Sequence, residues 1–180
     1  RLIEDVAKVV KALPEGRASG LIVSGDIVYA GKESEYSNAG KWLDQVATAA
    51  GCAITDIQLV PGNHDIDRDK ISHATALMLQ AIAERGEPEL DAFLKSEADL
   101  ELLYGRFSAY EPFAQAYGSP LDMGGGLAGD RSVTLAPGRS LRFIGLNTAL
   151  ICNIKDEEGR LLLGARQRVL PRNAEHRMAL

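Results

Sequence analysis

Apolar positions 2, 3, 6, 9, 10 and 13 recur every three or four residues, which places them on one face of a helix; Pro14 and Gly16 close it. Residues 21–24 form a short unbroken apolar run, the pattern of a strand buried on both faces. A second helix is predicted over 35–50, with Trp42, Leu43 and Val46 turned inward and Gly51 as its stop. Residues 57–60 read as another buried strand. Helix, strand, helix, strand in this order implies parallel strands joined by right-handed crossovers.

Residues 71–117 are helical in character, with breaks near Gly86-Glu87-Pro88 and Gly105, and two or three helices fit there. A Gly- and Pro-rich loop is expected over 118–129. The runs 132–135 and 141–146 flank Ala136-Pro137-Gly138-Arg139 and predict a hairpin. Residues 161–170 read as a strand end followed by a short helix that stops before Pro171. The pattern predicts an α/β sheet core, residues 1–180 forming one domain, with a helical insertion at about 71–117.

Composition adds limits. The 180 residues carry 46% hydrophobic and 25% charged positions, ordinary for a globular protein. A net charge of -5 gives no footprint for unassisted binding to nucleic acid or anionic lipid. No apolar run approaches the ~20 residues of a membrane span. Cys52 and Cys152 lack C-x-x-C spacing and are expected to be buried reduced thiols, which favours a cytoplasmic setting. The chain begins at Arg1 inside a helical pattern and stops where an apolar run starts at Met178, so a piece of a longer protein is expected.

The candidate chemistry sits at the two strand ends. Gly25-Asp26 follows the first strand, and Pro61-Gly62-Asn63-His64-Asp65 follows the second. In open parallel sheets the carboxyl ends of the strands form the crevice where ligands bind. A carboxylate, an amide oxygen and an imidazole on adjacent turns suit a metal-assisted hydrolytic site. Each residue also has a structural reading: Gly25-Asp26 as a strand-end turn, His64 as a hydrogen-bonded turn residue, Asp65 as a helix N-cap. Nothing in turn chemistry, however, requires Asn, His and Asp in succession after Pro-Gly.

Gly25-Asp26 and Gly62-Asn63-His64-Asp65, in this order and setting, resemble the central motifs of the calcineurin-like metallophosphoesterases. The segments Phe143-Ile144-Gly145-Leu146-Asn147-Thr148 and Leu163-Gly164-Ala165-Arg166-Gln167 look like a later core strand and helix start of that family. The resemblance implies an α/β sandwich with mixed sheets flanked by helices, here partial. It implies two divalent or trivalent metal ions (Mn, Fe or Zn), with Asp26 bridging them and Asn63 binding one. His64 would contact a substrate phosphate and help protonate the leaving oxygen, and Asp65 would orient its imidazole. Two metals ~3.5–4 Å apart can hold a hydroxide for in-line attack on phosphorus.

The implied activity is phosphomonoester or phosphodiester hydrolysis, with nucleic acid entering only as a substrate and no membrane partner. The family's Asp-x-His before Gly-Asp, and its later histidines, have no counterpart among these residues. The 180 residues are therefore expected to be an incomplete and inactive part of a catalytic domain. The alternative is a non-catalytic binding or scaffolding module of the same fold.

Other signals carry less. Gly124-Gly125-Gly126-Leu127-Ala128-Gly129 fits a dinucleotide fingerprint but does not lie between a strand and a helix. The run from Asp65 to Asp69 opens like a calcium loop, then places Lys70 and Ala76 where Gly and Glu are needed. The acidic residues between Glu87 and Glu101 read as a solvated face. His73 and His176 stand at no family position and are expected to be non-ligating. Asp67 and Arg68 are candidates for the crevice rim.

Overall fold

Helix α1 (Leu2–Lys11) leads to strand β1 (Leu21–Val23), helix α2 (Glu33–Ala50) and strand β2 (Ile57–Leu59), the predicted order. The computed structural model describes residues 1–122, 127–153 and 161–168. Strands β1 and β2 pair in parallel, with Leu21 opposite Ile57 and Val23 opposite Leu59. A further bond from Val60 N–H to the Val23 carbonyl, at 3.1 Å, carries the pairing to the point where both chains leave the sheet. The two loops that follow therefore start side by side.

Two expectations fail on exposure. Strand β2 is buried on both faces, but in β1 the side chain of Ile22 is 66% exposed. The reason lies in what covers the sheet. Gln58, the neighbour of Ile22 in register, is buried where Gly129 approaches its amide, whereas over β1 an apolar cleft of about 190 Å³ remains, lined by Leu21, Ile22, Val133, Leu141 and Phe143. Trp42 was expected inward and is 40% exposed. The buried stripe of α2 runs through Tyr36, Leu43, Val46, Ala47 and Ala50, and Trp42 stands at its edge beside β1.

The segment 71–117, expected to be a helical insertion, contains four helices where two or three were expected: α3 (His73–Arg85), α4 (Glu87–Phe93), α5 (Glu97–Tyr104) and α6 (Tyr110–Ala116). The breaks at Gly86 and Gly105 fall where predicted. An additional one arises because Ser96 caps α5, its hydroxyl accepting from Asp99 N–H. These helices bury Leu79, Ile82, Leu90, Leu94 and Leu103 with a run of aromatic rings. Tyr36 of α2 joins that run, its ring 5.0 Å from Phe113 and 6.1 Å from Tyr110. Burying such side chains contributes roughly 1.5–3 kcal/mol each, so the insertion supplies much of the core rather than decorating it.

Strands β3 (Leu121–Asp122), β4 (Leu127–Ala136) and β5 (Arg139–Leu146) form an antiparallel sheet whose predicted hairpin turns at Pro137-Gly138, and β3 and the start of β4 fall within 118–129, where a loop was expected. Helix α7 (Ala165–Arg168) matches the short helix expected after 161, although residues 161–164 form no strand. Asp91 of α4 receives the Ala165 N–H at 3.1 Å and docks α7 on the insertion. Among the described residues the structure is thus α/β, with one parallel pair and one antiparallel sheet. Gly124 to Gly126, Pro171, His176 and the apolar run at Met178 lie outside the described residues.

Cys152 is buried and Cys52 half-buried. Both thiols donate to backbone carbonyls one turn back, of Thr148 and Ala47, and burial pushes the Cys52 thiol above its ordinary value. No helix among the described residues is long and apolar enough to cross a membrane.

Candidate metal centre and its histidine

Asp26 is the one described non-glycine residue with positive φ, at 54°. Left-handed backbone is uncommon outside glycine and is tolerated best by Asn and Asp, whose short polar side chains hydrogen-bond locally. Here the fixing contact is visible: Asp26 Oδ1 accepts the His64 backbone N–H at 3.0 Å. The two glycines make that approach possible. A Cβ on Gly25 would lie 2.6 Å from Gly62 N, and one on Gly62 would run into the Asp26 backbone N and carboxylate. Only glycine at both positions lets the two turns touch backbone to backbone.

The structure therefore brings Asp26, Asn63, His64 and Asp65 together, as adjacent parallel strands require. Asp26 is exposed at the carboxyl end of the sheet, and Asn63 and His64 are half-buried. The Asn63 backbone carbonyl accepts from the Arg68 guanidinium at 3.5 Å, which places Arg68 beside the Asn63 turn. His73 is exposed at the start of α3.

Asp65 departs from its expected task. Its carboxylate is fully buried and receives Gly62 N–H at 2.8 Å, Ile27 N–H at 3.4 Å and the Tyr36 hydroxyl at 3.1 Å. Burial raises its pKa, and these hydrogen bonds oppose the rise. Burial, then the neighbouring carboxylate, pushes the Tyr36 phenol up as well, so it stays a donor. Asp65 holds the two loops to α2.

The imidazole is oriented instead by Tyr29. His64 Nδ1 lies 2.7 Å from the Tyr29 carbonyl oxygen, and the two rings stack at 5.3 Å with 27° between planes. A carbonyl only accepts, so Nδ1 carries the proton and Nε2 is the nitrogen left for chemistry. Sequence reasoning missed this partner because a backbone carbonyl has no residue signature; an aromatic three residues after Asp26 was the available hint.

Two further residues tie the loops together. Lys32 Nζ binds Asp67 Oδ1 at 2.5 Å and Asp69 Oδ2 at 2.7 Å, which holds the Asp69 carboxyl below its usual range. Glu35 accepts the N–H groups of Tyr29, Ala30 and Lys32 at 3.3, 3.1 and 3.0 Å. Its position at the third residue of α2 is the readable signal, since a glutamate there commonly caps the helix.

Asp26 and Asn63 offer one carboxylate and one amide, hard oxygen donors of the right kind. They do not amount to a holder for two metal ions. Among the described residues no group of three or more His, Cys, Asp or Glu side chains could hold a metal.

An exposed carboxylate, an amide and an oriented imidazole at the carboxyl end of a parallel pair make a candidate hydrolytic or phosphate-handling centre. The chain is similar to an uncharacterized metallophosphoesterase-like protein, YydB, of Bacillus subtilis (strain 168). The two are 28% identical over 146 residues, 79% of this chain and 28% of that protein. The chain thus spans just over a quarter of the relative's length. No protein-family model matches the chain, and no solved structure does.

Proposed function

We propose that this chain is part of the catalytic domain of a metal-dependent phosphoester hydrolase with a metallophosphoesterase-type α/β sandwich. The observation that carries the reading is the contact of the Gly25-Asp26 and Gly62-Asn63-His64-Asp65 turns, made through two glycines and the bond from His64 N–H to Asp26. The likeness to the Bacillus subtilis protein supports it at the level of class.

In this reading Asp26 and Asn63 would give oxygen donors to two metal ions, and the remaining donors would come from outside the described residues. Bound metal would supply charge neutralisation and an activated water. The residues of this chain do the rest. With Nδ1 committed to Tyr29, a protonated His64 presents Nε2–H to the ester oxygen that departs, and passes it the proton as the bond to phosphorus breaks. Asp65 holds the turn by Gly62 N–H and Tyr36, which keeps Nε2 within reach.

Replacing Asn63 with Ala in the full-length protein is expected to abolish metal-dependent hydrolysis of an aryl phosphodiester while the protein stays folded. Turnover equal to the parent's would overturn the assignment.

A further inference from the structure

His64 is held by a loop, and that loop is held by a carboxylate. The loop leaves β1 at Ser24 and enters α2 at Glu33. Its amides at Tyr29, Ala30 and Lys32 all donate to the two oxygens of Glu35, an acceptor capacity that an ionised carboxylate has and a neutral amide lacks. The carbonyl of Tyr29 then points at His64 Nδ1, while the Tyr29 ring lies along the imidazole. The outer side of Tyr29 is open to solvent, at 79% exposure, so apolar burial does not set its position. The Glu35 bonds and the imidazole do.

We propose that Glu35 and Tyr29 are positioning residues for His64. Glu35 fixes the loop, the loop's carbonyl fixes the imidazole tautomer, and the Tyr29 ring fixes its plane. A backbone carbonyl anchored one step further back thus takes the place of the side-chain carboxylate that commonly stands behind a catalytic histidine. Its catalytic consequence rests on the phosphoester-hydrolase reading; the tautomer itself does not. If Glu35 were only a helix cap, removing it would lower stability and leave the tautomer of folded molecules unchanged.

The test is long-range proton–nitrogen NMR of the full chain with labelled histidine, at a pH where the imidazoles are neutral. His64→Asn identifies the signal, and exposed His73 serves as the solvated reference. In the parent, His64 is expected as the Nδ1–H form, against the Nε2–H preference of a free imidazole. In Glu35→Ala at least half of that population should move to the Nε2–H form. Glu35→Gln should move it in the same direction by less, and it carries the test if the alanine variant does not fold.

Tyr29→Leu keeps the carbonyl and should keep the tautomer while losing the ring-current shift on His64; Tyr29→Phe should keep both. In the full-length protein, Glu35→Ala should lower kcat about tenfold with KM changed by less than about twofold, as expected for a misplaced acid. An Nε2–H form in the parent, or an undiminished Nδ1–H form in the folded Glu35 variants, would overturn the proposal. Either result leaves the Asn63→Ala experiment to decide the hydrolase reading independently.

Discussion

Residues 24–70 and 71–117 are adjacent in sequence and held in different ways. In the first, the strand-end loops are fixed by directed bonds: Asp26 to His64, Asp65 to Gly62 and Tyr36, Glu35 to three amides, Lys32 to Asp67 and Asp69. In the second, Leu79, Ile82, Leu90, Leu94 and Leu103 are held by burial, with almost no surface left exposed. Burial is strong and non-directional, so it sets stability. Hydrogen bonds contribute little net energy but fix where atoms point, so they set chemistry. Tyr36 belongs to both, its ring in the aromatic core and its hydroxyl on Asp65.

Substitutions should separate the two regions. Leu103→Ala removes a fully buried side chain and should cost about 2–5 kcal/mol in urea unfolding, with the His64 imidazole signals unchanged. A cost under about 1 kcal/mol would show that the insertion is not a rigid core.

Arg106 is the next largest case, because it spans the comparison. Its guanidinium is fully buried and donates to the Leu103, Leu150 and Cys152 carbonyls, while its own carbonyl accepts Asp67 N–H at 2.8 Å. Arg106→Met leaves those three carbonyls short of a donor and should cost about 2–3 kcal/mol, with faster amide exchange at Asp67. Unchanged exchange there would mean that the insertion does not brace the site.

Gly62→Ala should cost about 1–3 kcal/mol, mostly local, since its Cβ must push Asp26 aside. The His64 amide should then lose its protection from exchange. Retained protection would remove the role given to the glycine contact.

The smallest effect lies outside both stretches of sequence. In the β4–β5 hairpin, the hydrogen bond from Arg142 holds the Asp130 carboxyl below its usual value. A depressed carboxyl contributes stability above its unfolded pKa of about 3.9, lost as pH falls through the folded value. The pair is partly solvated, so Asp130→Asn should cost at most about 1 kcal/mol at neutral pH. That difference should vanish in acid. A larger effect would make the hairpin more than a cover for β2.

The sequence carried the order of α1, β1, α2 and β2, the parallel pairing and the meeting of Asp26 with Asn63-His64-Asp65, because periodicity and strand-end position encode all three. It did not carry the exposure of Ile22 and Trp42. Apolar patterning says that a side chain wants cover, and only the path of the hairpin decides whether cover arrives. The tasks of Asp65 and Tyr29 were also illegible. Which acceptor faces an imidazole depends on ångström-scale placement of two loops, and the acceptor here is a backbone carbonyl. Glu35 was readable as a helix cap and not as an anchor for the loop beside His64.

The role proposed for His64 is to give a proton to a departing ester oxygen in a phosphoester hydrolase. Its most direct measurement is the dependence of kcat on leaving-group pKa for a series of phosphoesters, in the metal-loaded full-length protein and its His64→Asn variant. A good leaving group such as nitrophenolate needs little protonation, and an alkoxide needs much. A shallow dependence is expected in the parent and a steep one in the variant, with the two closest for nitrophenyl esters. Equal slopes in both proteins, or no hydrolysis by the loaded parent, would contradict it.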